Sequence, residues 1–288
     1  MSDCLTLSAH AKLNLTLDIL SRRADGYHDL SMVMQSISLC DTVTVALTDG
    51  EGVVCHCGTL PGDDSNLAVR AAKTFFAQTG LPARGLRIDI DKRIPMQAGM
   101  AGGSADAAAV LRALRSLLLP SLPRERLEEI GALVGSDVPF CVRGGTALAE
   151  GRGERLRSLR AAPRFFTVVC KPDFSLSTPL LFRRADSVSL HKRPDTAGML
   201  AAIDAGDASA VAQRVCNVFE EVLDESEREV FTIRERLHAL GARAASMTGS
   251  GPTVFGLFAK REEAERACEV LRASYEQTWC AEFVGAED

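Results

Sequence analysis

Between Leu5 and Ile19 every odd position is apolar: Leu5, Leu7, Ala9, Ala11, Leu13, Leu15, Leu17 and Ile19. A period of two over this length predicts a strand, or a bent strand pair, with one buried face. The even positions share the other face, which carries His10, Lys12, Asn14 and Thr16. Such a polar row either faces solvent or lines a cleft, and the alternation alone leaves both open. Asp25-Gly26 signals a turn, and a second strand-like zone follows from Leu30 to Leu47. Leu67, Ala71, Ala72, Phe75 and Phe76 recur at helical spacing and predict a helix over 66–78. Leu86, Ile88 and Ile90 alternate with charged residues as a strand, and Leu111, Leu114 and Leu118 place a helix from Ser104 to Leu118. Another helix runs from Arg124 to Val134 and ends at Gly135, before a short strand at Ala147-Leu148.

The segment G-R-G-E-R-L-R-S-L-R-A-A-P before Arg164 changes composition and is the expected crossing between two domains, 1–155 and 156–288. Beyond it the pattern gives a strand at 165–170, helices within 196–240 and strands at 244–247 and 253–258. A helix at 261–274 and a strand at 278–284 follow. This βαββαβ order with extra helices is the ferredoxin-like arrangement.

With 46% hydrophobic and 25% charged residues, the 288-residue chain has the balance of a globular protein with real cores. A net charge of -5 with only short basic bursts argues against nucleic acid or a membrane surface as partner. Lys12, Asn14 and Asp18 interrupt the first apolar region, so no signal peptide is read there. Nine scattered cysteines fit free thiols in a reducing cytoplasm. Cys55-His56-Cys57 has the look of a metal cluster, but on a strand the histidine points away from both cysteines. No zinc is expected.

Candidate chemistry concentrates in Ile94–Ala109, I-P-M-Q-A-G-M-A-G-G-S-A-D-A-A-A, between a strand and a long helix. Backbone N–H groups at a helix start lack intrahelical partners, and glycines let phosphate oxygens approach them. The segment has neither the Gly-Lys-Ser/Thr ending of a Walker A loop nor a G-x-G-x-x-G. Its small residues suit phosphate binding or close helix packing equally. Ser136-Asp137-Val138-Pro139-Phe140 sets an acid just after a helix, as a turn aspartate or as a group for proton transfer. Thr248-Gly249-Ser250-Gly251-Pro252-Thr253 is a second glycine loop between two strands, with a hairpin turn as its plain reading.

Together these segments resemble the GHMP kinase superfamily in order and over essentially the whole chain. The matching motifs are A-K-L-N-L with Lys12, P-x-x-x-G-x-x-G-G-S-x-D-A-A, and T-G-S-G-P-T. Arg22-Arg23-Ala24-Asp25-Gly26-Tyr27-His28 further resembles the branch that phosphorylates a sugar alcohol bearing a cytidine diphosphate. The resemblance implies an α+β fold in two domains, an N-terminal half like ribosomal protein S5 domain 2 and a C-terminal ferredoxin-like half. It implies transfer of the ATP γ-phosphoryl group to a substrate hydroxyl, with Mg2+ accompanying ATP and no metal ligand identifiable. Asp137 is then the base and Lys12 the cation that keeps Asp137 ionised and stabilises the transferring group. Pro95, Met96, Gln97, Ala98, Gly99, Met100, Ala101, Gly102, Gly103, Ser104 and Ala105 form the ATP phosphate loop. Asn14 binds the sugar-alcohol end, and Tyr27 and Phe182 stack on opposite faces of cytosine while His28 reads its edge. Gln97, Ala101 and Ala105 replace two glycines and a serine of the family pattern. Cys216–Glu220 is similar to an asparagine-containing helix of that branch and reads as structural. The expected state is a cytoplasmic monomer or weak homodimer. Other alcohols, homoserine or mevalonate, and a catalytically silent ligand-binding role are the alternative readings.

Overall fold

In the computed structural model, which describes residues 3–286, the elements run β1 (Cys4–Arg22), β2 (His28–Thr48), β3 (Val53–His56), α1 (Leu67–Thr79), β4 (Gly85–Asp91), α2 (Gly102–Leu118), α3 (Arg124–Ala132), α4 (Val138–Arg143), β5 (Thr146–Gly151) and β6 (Arg155–Ser158). They continue with β7 (Phe166–Cys170), α5 (Thr178–Asp186), α6 (Thr196–Ala205), α7 (Ala208–Gln213), β8 (Cys216–Asn217), α8 (Glu229–Ala239), β9 (Ala244–Met247), β10 (Val254–Phe258), α9 (Arg261–Arg272) and β11 (Thr278–Glu282). Contacts gather into two compact units that interleave along the chain. One takes the chain up to Ala11, Cys40–Ile94 and Ala101–Gly144; the other takes Lys12–Leu39, Pro95–Met100 and the chain from Gly145.

In the first unit β4 pairs antiparallel with β2 (Val45↔Ile88) and parallel with β3 (Cys55↔Ile88). The alternation of 86–90 is realised: Leu86, Ile88 and Ile90 are buried and Arg87 is exposed. Asn66 caps α1 by accepting from the N–H of Ala68, and Gly80 ends it at φ +70, a left-handed turn that glycine makes without a Cβ penalty. α1 packs on α2; α1 buries Ala68, Val69, Ala72, Phe75 and Phe76, and α2 buries the run Ala105–Leu111. The alanines allow the two helices to approach closely, so the packing reading of that stretch holds for its second half. Each fully buried Phe or Leu contributes about 1.5–3 kcal/mol. Cys55 and Cys57 are buried, whereas His56 is exposed and bonds Asp89, the facing that the strand reading gives.

The second unit holds a four-stranded antiparallel sheet in the order β11-β7-β10-β9. Phe255 lies opposite Val169, and Ala281 opposite Thr167. α8 and α9 pack on this sheet, completing the ferredoxin-like βαββαβ arrangement. In the same unit β5 pairs with β2 (Val33↔Leu148), and β8 runs parallel to β1 at Thr16↔Cys216. The arginine-rich segment after Gly151 contains β6, which pairs with β5 (Leu148↔Arg157) and leaves most of its side chains exposed. Charge on such an outer strand discourages pairing with a further chain.

Candidate active site

The polar row of β1 does not face solvent. Lys12, Asn14, Thr16 and Asp18 are only 3%, 1%, 0% and 6% exposed. Buried polar groups need partners; the first three have hydrogen bonds, and Asp18 has an ion pair although its Oδ1 accepts no hydrogen bond. Lys12 Nζ donates to Asn14 Oδ1 at 2.5 Å, and the Asn14 N–H donates to Thr248 Oγ1 at 3.0 Å. Thr16 Oγ1 accepts from the N–H of Val33, and Asp18 pairs with Arg193 Nε at 2.8 Å. Asn14 Nδ2 lies 3.3 Å from Met32 Sδ.

The loop from Pro95 meets this row. The Lys12 N–H donates to the Met100 carbonyl at 3.2 Å. Ala98 and Met100 are buried, and Met96 is 54% exposed. The backbone is left-handed at Gln97 (φ +50), Gly99 (φ +68) and Ala101 (φ +60). At two of these the family pattern has glycine, so Gln97 and Ala101 hold a conformation that side chains disfavour by about 1–2 kcal/mol. Ala105, where the family has serine, is 2% exposed and belongs to the buried side of α2.

Ala101 precedes α2 without a side-chain cap, and the first ladder bond runs from the Ala105 N–H to its carbonyl at 2.8 Å. The N–H groups of Gly102, Gly103 and Ser104 therefore precede the ladder at the positive end of the helix dipole. Lys92 Nζ lies 3.3 Å from where a Cβ on Gly102 would sit, held by Asp41 and by Asp106 at 2.7 Å. Burial pushes the Asp106 carboxyl up to about 7 against the pull of Lys92. Burial also disfavours charge on Lys92, but the two carboxylates more than offset this and raise it.

Two glycines separate loop shape from phosphate contact. A Cβ on Gly99 would lie 2.2 Å from the Thr248 carbonyl oxygen and 2.9 Å from the Gly251 nitrogen, both backbone atoms. A Cβ on Gly103 would meet only Leu67 Cδ1, at 3.4 Å. Gly99→Ala is therefore expected to lower stability by about 1–3 kcal/mol, measured by denaturant unfolding. Gly103→Ala should keep stability but raise the KM for ATP about tenfold, equivalent to ~1.4 kcal/mol of binding. An unchanged KM in the Gly103 variant would remove this glycine from phosphate recognition.

Asp137 is the residue before α4, a six-residue helix that sequence periodicity misses because V-P-F-C-V-R is shorter than two turns. Pro139 fits the second helical position, where no N–H is needed. The Asp137 carbonyl accepts from the Cys141 N–H, and the Arg143 guanidinium forks onto Glu128 of α3 at 2.9 and 2.5 Å. α4 packs on α2, and Ser104 Oγ is 3.9 Å from a Cβ position on Gly135. The first turn of α2 and the Asp137 turn therefore meet within the first unit.

In the second unit His28 and Phe182 stack, with ring centroids 4.5 Å apart and an interplanar angle of 11°. Phe182 lies on α5 and meets Phe219 edge-on at 5.0 Å. His28 Nε2 is 2.7 Å from Asp186 Oδ1, and Arg22 lies 3.6 Å from the other oxygen of Asp186. Tyr27 is 57% exposed, with the Arg152 guanidinium 5.1 Å above its ring. One face of Phe182 is thus covered by His28, and the Tyr27 ring, though exposed, carries Arg152 over it.

The Thr248–Thr253 loop is a hairpin turn between β9 and β10, and it is also the partner of Asn14 and Gly99. Asn217 fixes it, donating to the carbonyls of Met247 and Gly249, both at 2.8 Å. Asn217 caps a short 3-10 turn from β8 and does not sit inside a helix. Glu220 accepts from Ser246 Oγ and the Met247 N–H, so the structural reading of Cys216–Glu220 fits its contacts. Sequence reasoning passed over Asp41, Lys92 and Asp186, quoted Asp106 only as part of the phosphate-loop motif, and read Arg193 only as part of a short basic burst. Their signal was weak, because an isolated charge in a strand, helix or loop normally belongs to the solvent face.

Comparison with known proteins gives two family models: residues 66–145 match "GHMP kinases N terminal domain" and residues 199–277 match "GHMP kinases C terminal". The chain is 44% identical over 281 residues to a 4-diphosphocytidyl-2-C-methyl-D-erythritol kinase of Moorella thermoacetica, covering 96% of this chain and 98% of that one. It is 41% identical over 286 residues to the kinase of that name in Brevibacillus brevis, covering 99% and 98%. A crystal structure of 4-(cytidine 5'-diphospho)-2C-methyl-D-erythritol kinase matches with TM-score 0.83 and 34% identity over 98% of this chain and 100% of that chain. A homoserine kinase from Cytophaga hutchinsonii shares the fold, with TM-score 0.76 at 18% identity over 100% and 96% of the two chains. Among the described residues no helix is long and apolar enough to cross a membrane.

Proposed function

The chain belongs to the 4-diphosphocytidyl-2-C-methyl-D-erythritol kinases of the GHMP kinase family, and from that premise we propose how its own residues carry the reaction. It is an ATP-dependent kinase of non-mevalonate isoprenoid biosynthesis. The acceptor is the 2-hydroxyl of 4-(cytidine 5'-diphospho)-2-C-methyl-D-erythritol, and the donor is the γ-phosphoryl group of ATP. The N–H groups of Gly102, Gly103 and Ser104 receive phosphate oxygens, and Asp137 accepts the proton of the attacking hydroxyl. Phosphoryl transfer needs positioning and charge neutralisation more than covalent chemistry. Lys12 supplies a fixed cation for the transferring group, and Asn14 hydrogen-bonds the erythritol end. The observation that carries this reading is the contact of the α2 first turn with the Asp137 turn, Ser104 against Gly135.

Mg2+ accompanies ATP. A hydroxyl oxygen suits this ion, and Ser104, on the turn adjoining that of Asp137, is the residue that would hold it. When bound it neutralises charge on the phosphates. The deciding assay is ADP release with the cytidine diphosphate substrate, homoserine and mevalonate offered in turn. Turnover confined to the first supports the assignment, preference for either other alcohol replaces it, and no turnover with any favours a silent binder.

Cytosine is held between Tyr27 and Phe182. Stacking on an aromatic ring contributes about 1–3 kcal/mol per base and does not distinguish cytosine from uracil. The edge is read by His28. Its Nε2 is held 2.7 Å from Asp186, which leaves Nδ1 for the edge of the base, and a ring nitrogen that accepts suits the amino group of cytosine and not the carbonyl of uracil. Tyr27→Ala and Phe182→Ala should weaken cytidine and uridine substrates alike, whereas His28→Ala should erode the preference for cytidine. Unchanged KM in both ring deletions would place the base elsewhere.

A further inference from the structure

The two rings assigned to the base are held unequally. Phe182 stacks on His28 at 4.5 Å and meets Phe219 edge-on at 5.0 Å. Tyr27 is 57% exposed, and the guanidinium carbon of Arg152 lies 5.1 Å from its ring centroid. Main-chain bonds fix where the tyrosine starts: its carbonyl accepts from the Arg23 N–H at 2.8 Å, and its N–H donates to Asp25 Oδ1 at 3.1 Å. Neither bond sets the direction of the ring. An exposed side chain hops among rotamers within nanoseconds unless something packs on it.

The sheet brings Arg152 to that ring. β5 runs antiparallel to β2 with Gly151 opposite Leu30, so the residue after Gly151 emerges beside the segment that leads back to Tyr27. The Arg152 N–H donates to Glu154 Oε2 at 2.7 Å, which fixes the root of the arginine. Neighbouring cations are engaged by carboxylates: Arg22 by Asp186, and Arg23 by Asp25 and Asp29. Arg152 is half-buried and makes no ion pair among the described residues, and its charge rests on the ring.

We propose that Arg152 is a positioning residue for the cytidine site: its guanidinium backs one face of Tyr27 and holds the ring with the opposite face presented to the base. This role rests on the reading of Tyr27 as a platform for cytosine, and it names what holds the platform. An aromatic ring has two faces, and a cation on one leaves the other to a stacking partner. Ordering the ring before the ligand arrives removes part of the entropy cost of binding. An exposed cation–π contact corresponds to about a two- to fivefold change in affinity.

Steady-state kinetics on the full chain test this, with Arg152→Met and Arg152→Lys made alone and together with Tyr27→Ala. Methionine keeps an apolar stem without the charge, and lysine keeps a cation for the ring. Arg152→Met should raise the KM for the cytidine diphosphate substrate about two- to fivefold. Its kcat, KM for ATP and melting temperature should match the wild type, and Arg152→Lys should keep most of the affinity. In the Tyr27→Ala background Arg152→Met should have no further effect, because the ring through which it acts is gone. Cytidine as a competitor separates ring support from pairing of the charge with the diphosphate, since it carries no phosphate. Its inhibition constant should rise by the same factor as that KM. A loss confined to phosphate-bearing ligands, an equal loss in the Tyr27→Ala background, or an equal loss with lysine overturns the role of Arg152. So does an unchanged KM in Arg152→Met beside a raised one in Tyr27→Ala. If Tyr27→Ala itself leaves KM unchanged, the platform reading fails and the positioning role falls with it.

Discussion

Asp137→Asn is expected to lower turnover by about 10²–10⁴-fold, the usual range for loss of a general base. An amide is nearly isosteric with the carboxylate but accepts no proton at neutral pH, so the hydroxyl would attack without a base. The fold should tolerate the change. The Asp137 side chain makes no capping hydrogen bond to α4, and the main-chain bond from Cys141 to the Asp137 carbonyl is independent of it. The Arg143–Glu128 fork continues to hold α4 to α3. The check is single-turnover kinetics beside thermal unfolding. Near-wild-type phosphoryl transfer in a folded variant would remove Asp137 from the chemistry.

Part of this was legible in the chain itself. The odd-position stripe of Leu5–Ile19 predicted β1, and its realised face is buried from Ala9 to Ile19. The same alternation grouped Lys12 with Asn14 but did not say whether they met water. Their cover includes Thr248, whose hydroxyl accepts from Asn14 across a separation of 234 residues, and no periodicity reaches that far. The ambiguous stretch from Ile94 resolved by position. Ala105–Ala109 pack in the core, whereas Gly99, Gly102 and Gly103 sit where backbone approaches backbone or leads the helix. β6 escaped notice because R-L-R-S is a charged outer strand with little apolar signal. Asp106 was visible as part of the phosphate-loop motif, but its pairing with Lys92 and Asp41 escaped because the three are separated in sequence and acquire meaning only when buried together. The family motifs supplied the chemistry that spacing left open.

Lys12→Met should separate catalysis from support on β1. The lysine is 3% exposed, its N–H is bonded to Met100 of the phosphate loop, and its ammonium donates to Asn14 Oδ1. A Cβ on Gly249 would stand 3.2 Å from Nζ, so the ammonium lies against the Thr248–Gly251 loop. Methionine fills nearly the same volume and keeps the backbone bond, but removes the charge. Loss of a preorganised charged donor typically lowers kcat by about 10²–10³-fold. Two stability terms oppose each other: Asn14 Oδ1 loses its shorter donor and keeps only the Thr248 hydroxyl at 3.5 Å, a cost of up to about 1–3 kcal/mol, while one buried cation no longer has to be desolvated. The melting temperature should therefore move little while kcat falls and the KM for ATP stays close to that of the wild type. Arginine should not rescue activity, because its planar fork is larger than an ammonium and directs its donors differently. If Lys12→Met melts far lower and its folded fraction turns over like the wild type, Lys12 is a strut for Asn14 and the phosphate loop, and the charge that stabilises transfer must come from another residue.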